Sequence, residues 1–313
     1  MNSLVLAVTL LGLALATTWI LGAVVLGGWR LAWALGVDRA RLGRLVPCLM
    51  LLPPALAAAL TYAVAFPDSH HCHCVQDVAV AVHLCVSHPQ HSLALLPLGL
   101  ALLGLFGLRV VPHLRRLAPR IRTSLALAPG SGVFARVSEP FGNALSLAFP
   151  RPRIVVDGAW WAELAPAERR IVLAHEGAHL RRGDPLLLEV MSLVGHFQPA
   201  WLAVDALAAW RAHAECQADA AAARTVGDAP AVATLLVDLH RRAIPQGAPG
   251  LAMSDGAGLE ERVRALLDES TVIRPGPDLG RTSWLLLGVV MAVPLLSAHR
   301  VHVAFESLLG LFT

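Results

Sequence analysis

The sequence LAHEGAHLRRGDP, Leu173–Pro185, organises the second half of this chain. Pro166 suits the first position of a helix, and Gly183, followed by an Asp-Pro pair, ends that helix and starts another. His175 and His179 are four residues apart, so in a helix their side chains lie on one face. The pattern predicts one helix between that proline and that glycine, with both imidazoles on the same side.

The motif His-Glu-x-x-His, formed by His175, Glu176 and His179, is typical of metal-dependent hydrolases. Both imidazoles can reach one ion, and Glu176 lies one position along the helix. Zinc suits such a site because three protein ligands leave one coordination position open, and because the ion lowers the pKa of water. We therefore expect one catalytic zinc ion per chain.

A third ligand is expected from a second helix, which the sequence predicts from about Ala200 to Arg224. That helix carries Glu215 and, four residues later, Asp219. One carboxylate of such a pair can bind the metal, while the other accepts the second N–H of a ligating histidine and fixes its tautomer. Asp219 is expected to support His175 in this way. The alternative, a chance motif on a solvated helical face, does not account for the second helix and its carboxylates.

These elements resemble the membrane-anchored zinc peptidases of the BlaR/MecR antirepressor family, which belongs to the gluzincins. The resemblance extends from Phe134 to about Ala223. Its main segments are 149–156 (FPRPRIVV), 173–185 (LAHEGAHLRRGDP) and 210–219 (WRAHAECQAD). A weaker resemblance, limited to the two helical motifs, is to the HtpX and CAAX-prenyl endopeptidases.

The family resemblance implies a role for each site residue. His175, His179 and Glu215 would bind zinc, and Glu176 would be the catalytic general base. The strand around Ile154 would be a sheet edge along which substrate lies extended. The beta-lactam sensors of the family carry a penicillin-binding domain after their fourth span, whereas this sequence ends soon after that point, so we do not expect beta-lactam sensing.

The composition excludes several classes of protein. Hydrophobic residues make up 56% of the 313 residues and charged residues 15%, whereas a soluble domain has about 25% charged residues. This balance argues against an ordinary cytosolic protein and against a disordered one. The net charge is +3, and no basic run is interleaved with aromatic residues. We therefore expect no direct binding of nucleic acid.

Long apolar stretches predict four transmembrane helices, since about 20 apolar residues cross a bilayer. They are Leu4–Trp29, Leu45–Phe66, Ser92–Val111 and Thr282–Ala298. A cleaved signal peptide is the alternative for the first stretch, but that stretch lacks a basic start and has too long an apolar core. The lipid bilayer is thus the first expected partner.

The arginines orient these helices, because arginine-rich loops stay in the cytoplasm. Arginines follow the first and third stretches, and the loop 67–91 contains none. Residues 1–112 are predicted to form three spans, with an outer loop at 67–91. Residues 113–281 are predicted to form a cytoplasmic peptidase domain, and residues 282–313 a fourth span with an outer tail. The fold class is an α-helical membrane protein with an α+β gluzincin-like domain, in a bacterial inner membrane, with both termini outside.

The outer loop and tail are rich in potential metal ligands. They are His70, His71, Cys72, His73, Cys74, His83 and Cys85 in the loop, and His299 and His302 in the tail. Thiolates and imidazoles together suit copper or zinc, so a second, metal-sensing site is one interpretation. One alternative is a disulfide from Cys72 or Cys74 to Cys85 with solvated histidines, which an oxidising compartment favours. The other is that these residues have no functional role.

Three functions are compatible with this sequence. The first is a signalling peptidase that cleaves a cytoplasmic regulator; the resemblance implies a winged-helix transcriptional repressor of the BlaI type as substrate. The second is an HtpX-like protease that removes damaged membrane proteins. The third is a non-catalytic metal receptor, which would not need the carboxylate of Glu176.

Overall fold

The computed structural model describes residues 2–37, 39–65, 96–126, 133–137, 143–147, 152–243 and 256–268, with single positions between 288 and 304. Most of these residues are helical. The helices are α1 (Asn2–Ala34), α2 (Arg39–Ala65), α3 (Leu96–Ala126), α4 (Gly158–Glu163), α5 (Pro166–Arg182), α6 (Asp184–Gly195), α7 (Ala200–Val226), α8 (Ala229–Ala243) and α9 (Gly256–Leu267). The strands are β1 (Phe134–Val137), β2 (Ala144–Leu147) and β3 (Arg153–Asp157).

Three of these helices are long and apolar enough to cross a membrane. They are Leu4–Ala34, Leu42–Ala65 and Leu96–Ala118, of 31, 24 and 23 residues, each longer than the ~20 residues that a bilayer requires. These helices indicate a membrane protein, and each overlaps one of the first three predicted spans. The fourth predicted span, Thr282–Ala298, lies almost entirely outside the described residues.

The chain divides into two compact units. The first consists of Met1–Leu114, Met191–Leu207 and Leu279–Thr313, and the second of Arg115–Val190 and Ala208–Asp278. The sequence analysis expected one continuous domain over 113–281. Instead, the segment Met191–Leu207, which joins α6 to α7, belongs with the apolar helices of the first unit.

The small sheet of the second unit has the order β1-β3-β2. β1 pairs with β3 in parallel, with Phe134 opposite Ile154, and β2 pairs with β3 in antiparallel fashion, with Ala144 opposite Val156. The expectation that the strand around Ile154 is a sheet edge is therefore wrong. Every residue of β3 is buried, as is typical of a strand with neighbours on both sides. Among the described strands, β1 and β2 are the edges.

The helix α5 has the bounds that the sequence predicts. At its start the Glu168 carboxylate accepts a hydrogen bond of 2.6 Å from the backbone N–H of Ala165, and at its end Gly183 has a φ of 70°. This left-handed conformation is one that glycine adopts without steric cost, so it stops the helix here. Ile171 and Val172 on α5 are buried in the core of the second unit, which also includes β3 and α8.

Candidate metal centre

Three predicted ligands converge in the second unit. The Nε2 atoms of His175 and His179 are 3.1 Å apart. Glu215 on α7 places Oε2 at 3.5 Å from Nε2 of His175 and Oε1 at 3.4 Å from Nε2 of His179. Tetrahedral ligands about 2 Å from an ion are about 3.3 Å from one another. The group His175, His179 and Glu215 could therefore hold a metal ion.

Each histidine is held at its other ring nitrogen by an aspartate. Nδ1 of His175 lies 2.9 Å from Oδ1 of Asp219, as the spacing on α7 predicts. Nδ1 of His179 lies 2.7 Å from Oδ2 of Asp184, the first residue of α6. An aspartate at Nδ1 keeps the proton there and leaves the Nε2 lone pair for a metal. The support from Asp184 was not predicted, because the sequence analysis interpreted the Asp-Pro pair only as the start of the next helix.

A buried arginine joins the carboxylates of α7. Arg262 on α9 is 5% exposed, and its Nε and Nη2 donate hydrogen bonds of 2.6 and 2.8 Å to the two oxygens of Asp219. Nη2 also lies 3.2 Å from Oε2 of Glu215. Two parallel bonds from one guanidinium fix the plane of a carboxylate. Arg262 therefore determines how Asp219, and through it His175, is oriented.

A second arginine occupies the corresponding position beside Asp184. Arg182, the last residue of α5, donates a 3.0 Å hydrogen bond from Nε to Oδ2 of Asp184 and pairs with it through Nη2 as well. The same Nη2 donates a 2.7 Å bond to the backbone carbonyl of Ala214 on α7. Arg182 thus links the end of α5, the start of α6 and the turn of α7 that precedes Glu215.

The electrostatics of this site favour a cation. Burial alone would lower the pKa of His175, but its hydrogen bonds with Asp219 and Glu215 raise that pKa to about 10. The pKa of His179 is raised as well, against its burial, by Asp184 and Glu215. Burial would raise the pKa of Glu215, yet the two imidazoles and Arg262 hold it well below its usual range. The carboxylates of Asp219, Asp184 and Glu215 thus make this site favourable for positive charge, which a proton or a metal ion can supply.

A cavity of about 240 Å³ opens at these residues. Its lining includes His175, Glu176, His179 and Glu215, together with Asn143, which precedes β2, Ala144 to Ser146 of β2, and Trp210 and Arg211 of α7. Ser146 donates a 2.5 Å hydrogen bond from Oγ to Oε2 of Glu176 and also lies 3.0 Å from the backbone carbonyl of that residue. The carboxylate of Glu176 is therefore fixed beside the candidate metal ligands.

Cys216, next to Glu215, is not part of the group of side chains that converge on the candidate site. Burial raises the pKa of its thiol to about 12. The predicted outer site lies outside the described residues: this applies to His70, His71, Cys72, His73, Cys74, His83 and Cys85 in the loop and to His299 and His302 in the tail.

Comparisons with protein-family models, with curated proteins and with solved structures found no match for this chain. The function must therefore be argued from the geometry and chemistry of the site.

Proposed function

We propose that this protein is a membrane-bound zinc endopeptidase that cleaves a cytoplasmic protein. One observation carries the proposal: the two imidazoles and the carboxylate of Glu215 converge within bonding distance of one ion, with the carboxylate of Glu176 in the same cavity. A site that only stores metal needs the first three groups but not the fourth. Glu176 therefore favours catalysis over the non-catalytic receptor.

The donor set fits zinc better than the other common divalent ions. Two imidazole nitrogens and one carboxylate are the ligands of many catalytic zinc sites, whereas magnesium and calcium prefer oxygen alone. His175, His179 and Glu215 would hold the zinc ion, which would supply Lewis acidity to polarise the scissile carbonyl and to lower the pKa of water.

The residues of the chain then carry the proton transfers. The Glu176 carboxylate takes one proton from the attacking water and later delivers it to the nitrogen of the departing amine, so that the carboxylate is regenerated. The Ser146 hydroxyl holds Oε2 of Glu176 at 2.5 Å, which leaves the other carboxylate oxygen to meet the water. His175 and His179 keep their protons at Nδ1, and these N–H groups donate hydrogen bonds to Asp219 and Asp184.

An extended peptide fits the surroundings of this cavity. Asn143, Ala144, Leu145 and Ser146 line one wall of it, and β2 is an edge among the described strands. The edge of a sheet offers backbone N–H and C=O groups to an added strand. We infer that the substrate is a polypeptide whose backbone lies along β2. The sequence analysis expected the substrate to lie along β3 instead.

The cellular setting follows from the arginine distribution and the resemblance. The proposal includes four spans, a gluzincin-like second unit in the cytoplasm of a bacterium, and a regulator such as a BlaI-like winged-helix repressor as substrate. An outer metal-sensing site would supply the signal. An HtpX-like protease that degrades damaged membrane proteins has the same chemistry and differs only in its substrate.

The test uses the full-length protein in lipid nanodiscs. Glu176→Gln should retain about one zinc per chain and lower the cleavage rate of an unstructured polypeptide such as casein at least ~100-fold, because the amide cannot accept the proton. Glu163→Gln, an exposed residue on α4, is the matched control and should cleave at the wild-type rate. Zinc content is measured by elemental analysis and cleavage by mass spectrometry.

Unchanged cleavage in Glu176→Gln would contradict the peptidase assignment. The substrate is identified separately, by comparing a candidate repressor with misfolded membrane proteins. Selective cleavage of the repressor at one bond supports the signalling function, and cleavage of misfolded proteins alone supports the HtpX-like alternative.

A further inference from the structure

The segment Met191–Leu207 has an apolar exposed surface. Its exposed residues are Ala200, Trp201 and Val204, and the side chains of Trp201 and Val204 are 60% and 63% exposed. A helix that faces water presents polar residues on its outer side. The segment contains one charged residue, Asp205, which forms an ion pair with Arg30 of α1.

The turn between α6 and α7 is buried against the apolar helices of the first unit. Gln198 is 0% exposed; its Nε2 donates a 2.6 Å hydrogen bond to the carbonyl of Met50, and its own carbonyl accepts a 3.4 Å bond from Nη1 of Arg109. Gly22 permits this close approach, because a Cβ atom there would lie 3.0 Å from Cγ of Gln198. Non-helical backbone is tolerated at membrane depth where protein groups satisfy it, and Arg109 does so for the backbone carbonyl of Gln198.

Aromatic contacts locate the segment along the candidate spans. Phe197 packs against Phe106 of α3 with ring centroids 5.7 Å apart, and Trp201 meets Trp19 of α1 edge to face at 6.3 Å. Trp19 and Phe106 are both inside the stretches that are long and apolar enough to cross a membrane. The segment therefore packs against the apolar stretches of these two candidate spans.

We propose that Met191–Leu207 is a re-entrant hairpin of the membrane region, and that Trp201 and Val204 contact lipid acyl chains. The part of α7 in this segment, Ala200–Leu207, rises about 12 Å at 1.5 Å per residue, which is too short to cross a core of about 30 Å. The chain thus enters the bilayer and returns on the same side.

Lipid is the occupant that the neighbouring surface indicates. Helix α1, which Trp201 contacts, itself exposes Ile20 and Val24 at 58% and 68%, as a spanning helix does toward lipid. Asp205 and Arg30 are 42% and 56% exposed, and such an ion pair is expected where the hairpin reaches the polar boundary. The chain leaves the metal-binding unit within α6, passes through this hairpin, and returns within α7 before it reaches Glu215.

The test places the photoreactive residue p-benzoylphenylalanine at Trp201 or Val204 in the full chain, reconstituted in phosphatidylcholine nanodiscs. Ile20 of α1 is the positive control, and Thr225, an exposed residue at the far end of α7, is the negative control. After illumination, intact-mass spectrometry measures adducts. Trp201 and Val204 should give phospholipid adducts within about twofold of the yield at Ile20, and Thr225 should give less than a tenth of it.

Each other result overturns the proposal. An absence of lipid adducts at Trp201 and Val204, with labelling at Ile20, means that the hairpin faces water. Crosslinked dimers at these positions mean that a second copy covers it. Lipid labelling at Thr225 equal to that at Trp201 and Val204 means that these two residues are no deeper in the bilayer than the far end of α7.

A second measurement does not depend on the photoreactive residue. Val204→Asp should lower the thermal unfolding temperature of the protein in nanodiscs, because a charge in hydrocarbon is costly. Thr225→Asp should leave that temperature unchanged. Equal unfolding temperatures for the two variants would contradict the lipid contact.

Discussion

The two histidines of the candidate metal centre are oriented by equivalent arrangements from different parts of the chain. Asp219, which supports His175, lies on α7 beside the third ligand, while Asp184, which supports His179, is only five residues beyond it. Each aspartate is in turn held by an arginine. Supports of this kind fix the tautomer of the ligand, and their loss typically costs 10–100-fold in metal affinity.

Arg262 offers the clearest test of this arrangement. Arg262→Leu leaves the ligands in place but removes the guanidinium from Asp219 and Glu215, so both buried carboxylates lose their cation. We expect zinc affinity to fall about 10–100-fold, as measured by competition with a chromogenic chelator. Arg264→Leu, on the same helix and 77% exposed, should bind zinc as the wild type does. Equal affinities for the two variants would mean that Arg262 does not orient the site.

The sequence predicts the site residues that are paired at the four-residue spacing of a helix. It does not predict the site residues that come from distant parts of the chain. His175 and His179, and Glu215 and Asp219, are recognisable because four residues make about one helical turn. Arg262 is 43 residues from Asp219, and no local pattern connects the two. Ser146 is 30 residues from Glu176 and reaches it only because β2 packs beside α5.

At the scale of elements, the contact between β2 and α5 brings a strand hydroxyl to the proposed catalytic carboxylate. Ser146→Ala removes the 2.5 Å hydrogen bond to Oε2 of Glu176, so that carboxylate is free to leave its orientation. A hydrogen bond to a charged group contributes about 1.5–3 kcal/mol, so kcat should fall about 10–100-fold while zinc content stays the same. Thr234→Ala, which removes an exposed hydroxyl of α8, should not affect kcat. Loss of zinc in Ser146→Ala would instead indicate a structural role.

The elements with strong end signals are those that sequence reasoning locates well. α5 begins at a proline and ends at a glycine, and α7 begins directly after Pro199. The order of the strands is less accessible, because pairing between distant segments is not encoded in either strand alone. The apolar run of β3 was nevertheless a usable signal: Ile154, Val155 and Val156 are all buried, and an edge strand rarely shows such a run. α9 was missed because a glycine-rich stretch precedes it.

At the scale of the whole molecule, the long apolar helices were predictable, whereas the packing of Met191–Leu207 against them was not. Length and composition are enough to identify a candidate span, since crossing a bilayer requires about 20 apolar residues. The apolar part of α6 and the start of α7 are too short to give that signal. The position of these two segments beside the candidate spans depends on tertiary contacts such as that between Gln198 and Met50. No local sequence pattern predicts such contacts.

The orientation of the chain in the membrane is the last prediction, and the arginines decide it. Four lie in residues 30–44 and four in residues 115–122, whereas 67–91 has none, so the arginine-rich segments should remain in the cytoplasm. Alkaline phosphatase, which is active only outside, should be active when inserted near Ser69 and inactive after Arg122. Green fluorescent protein should show the reverse, and fusions after Gly36 should match those after Arg122. Phosphatase activity after Arg122 would place the metal centre outside the cell, where a cytoplasmic repressor could not reach it.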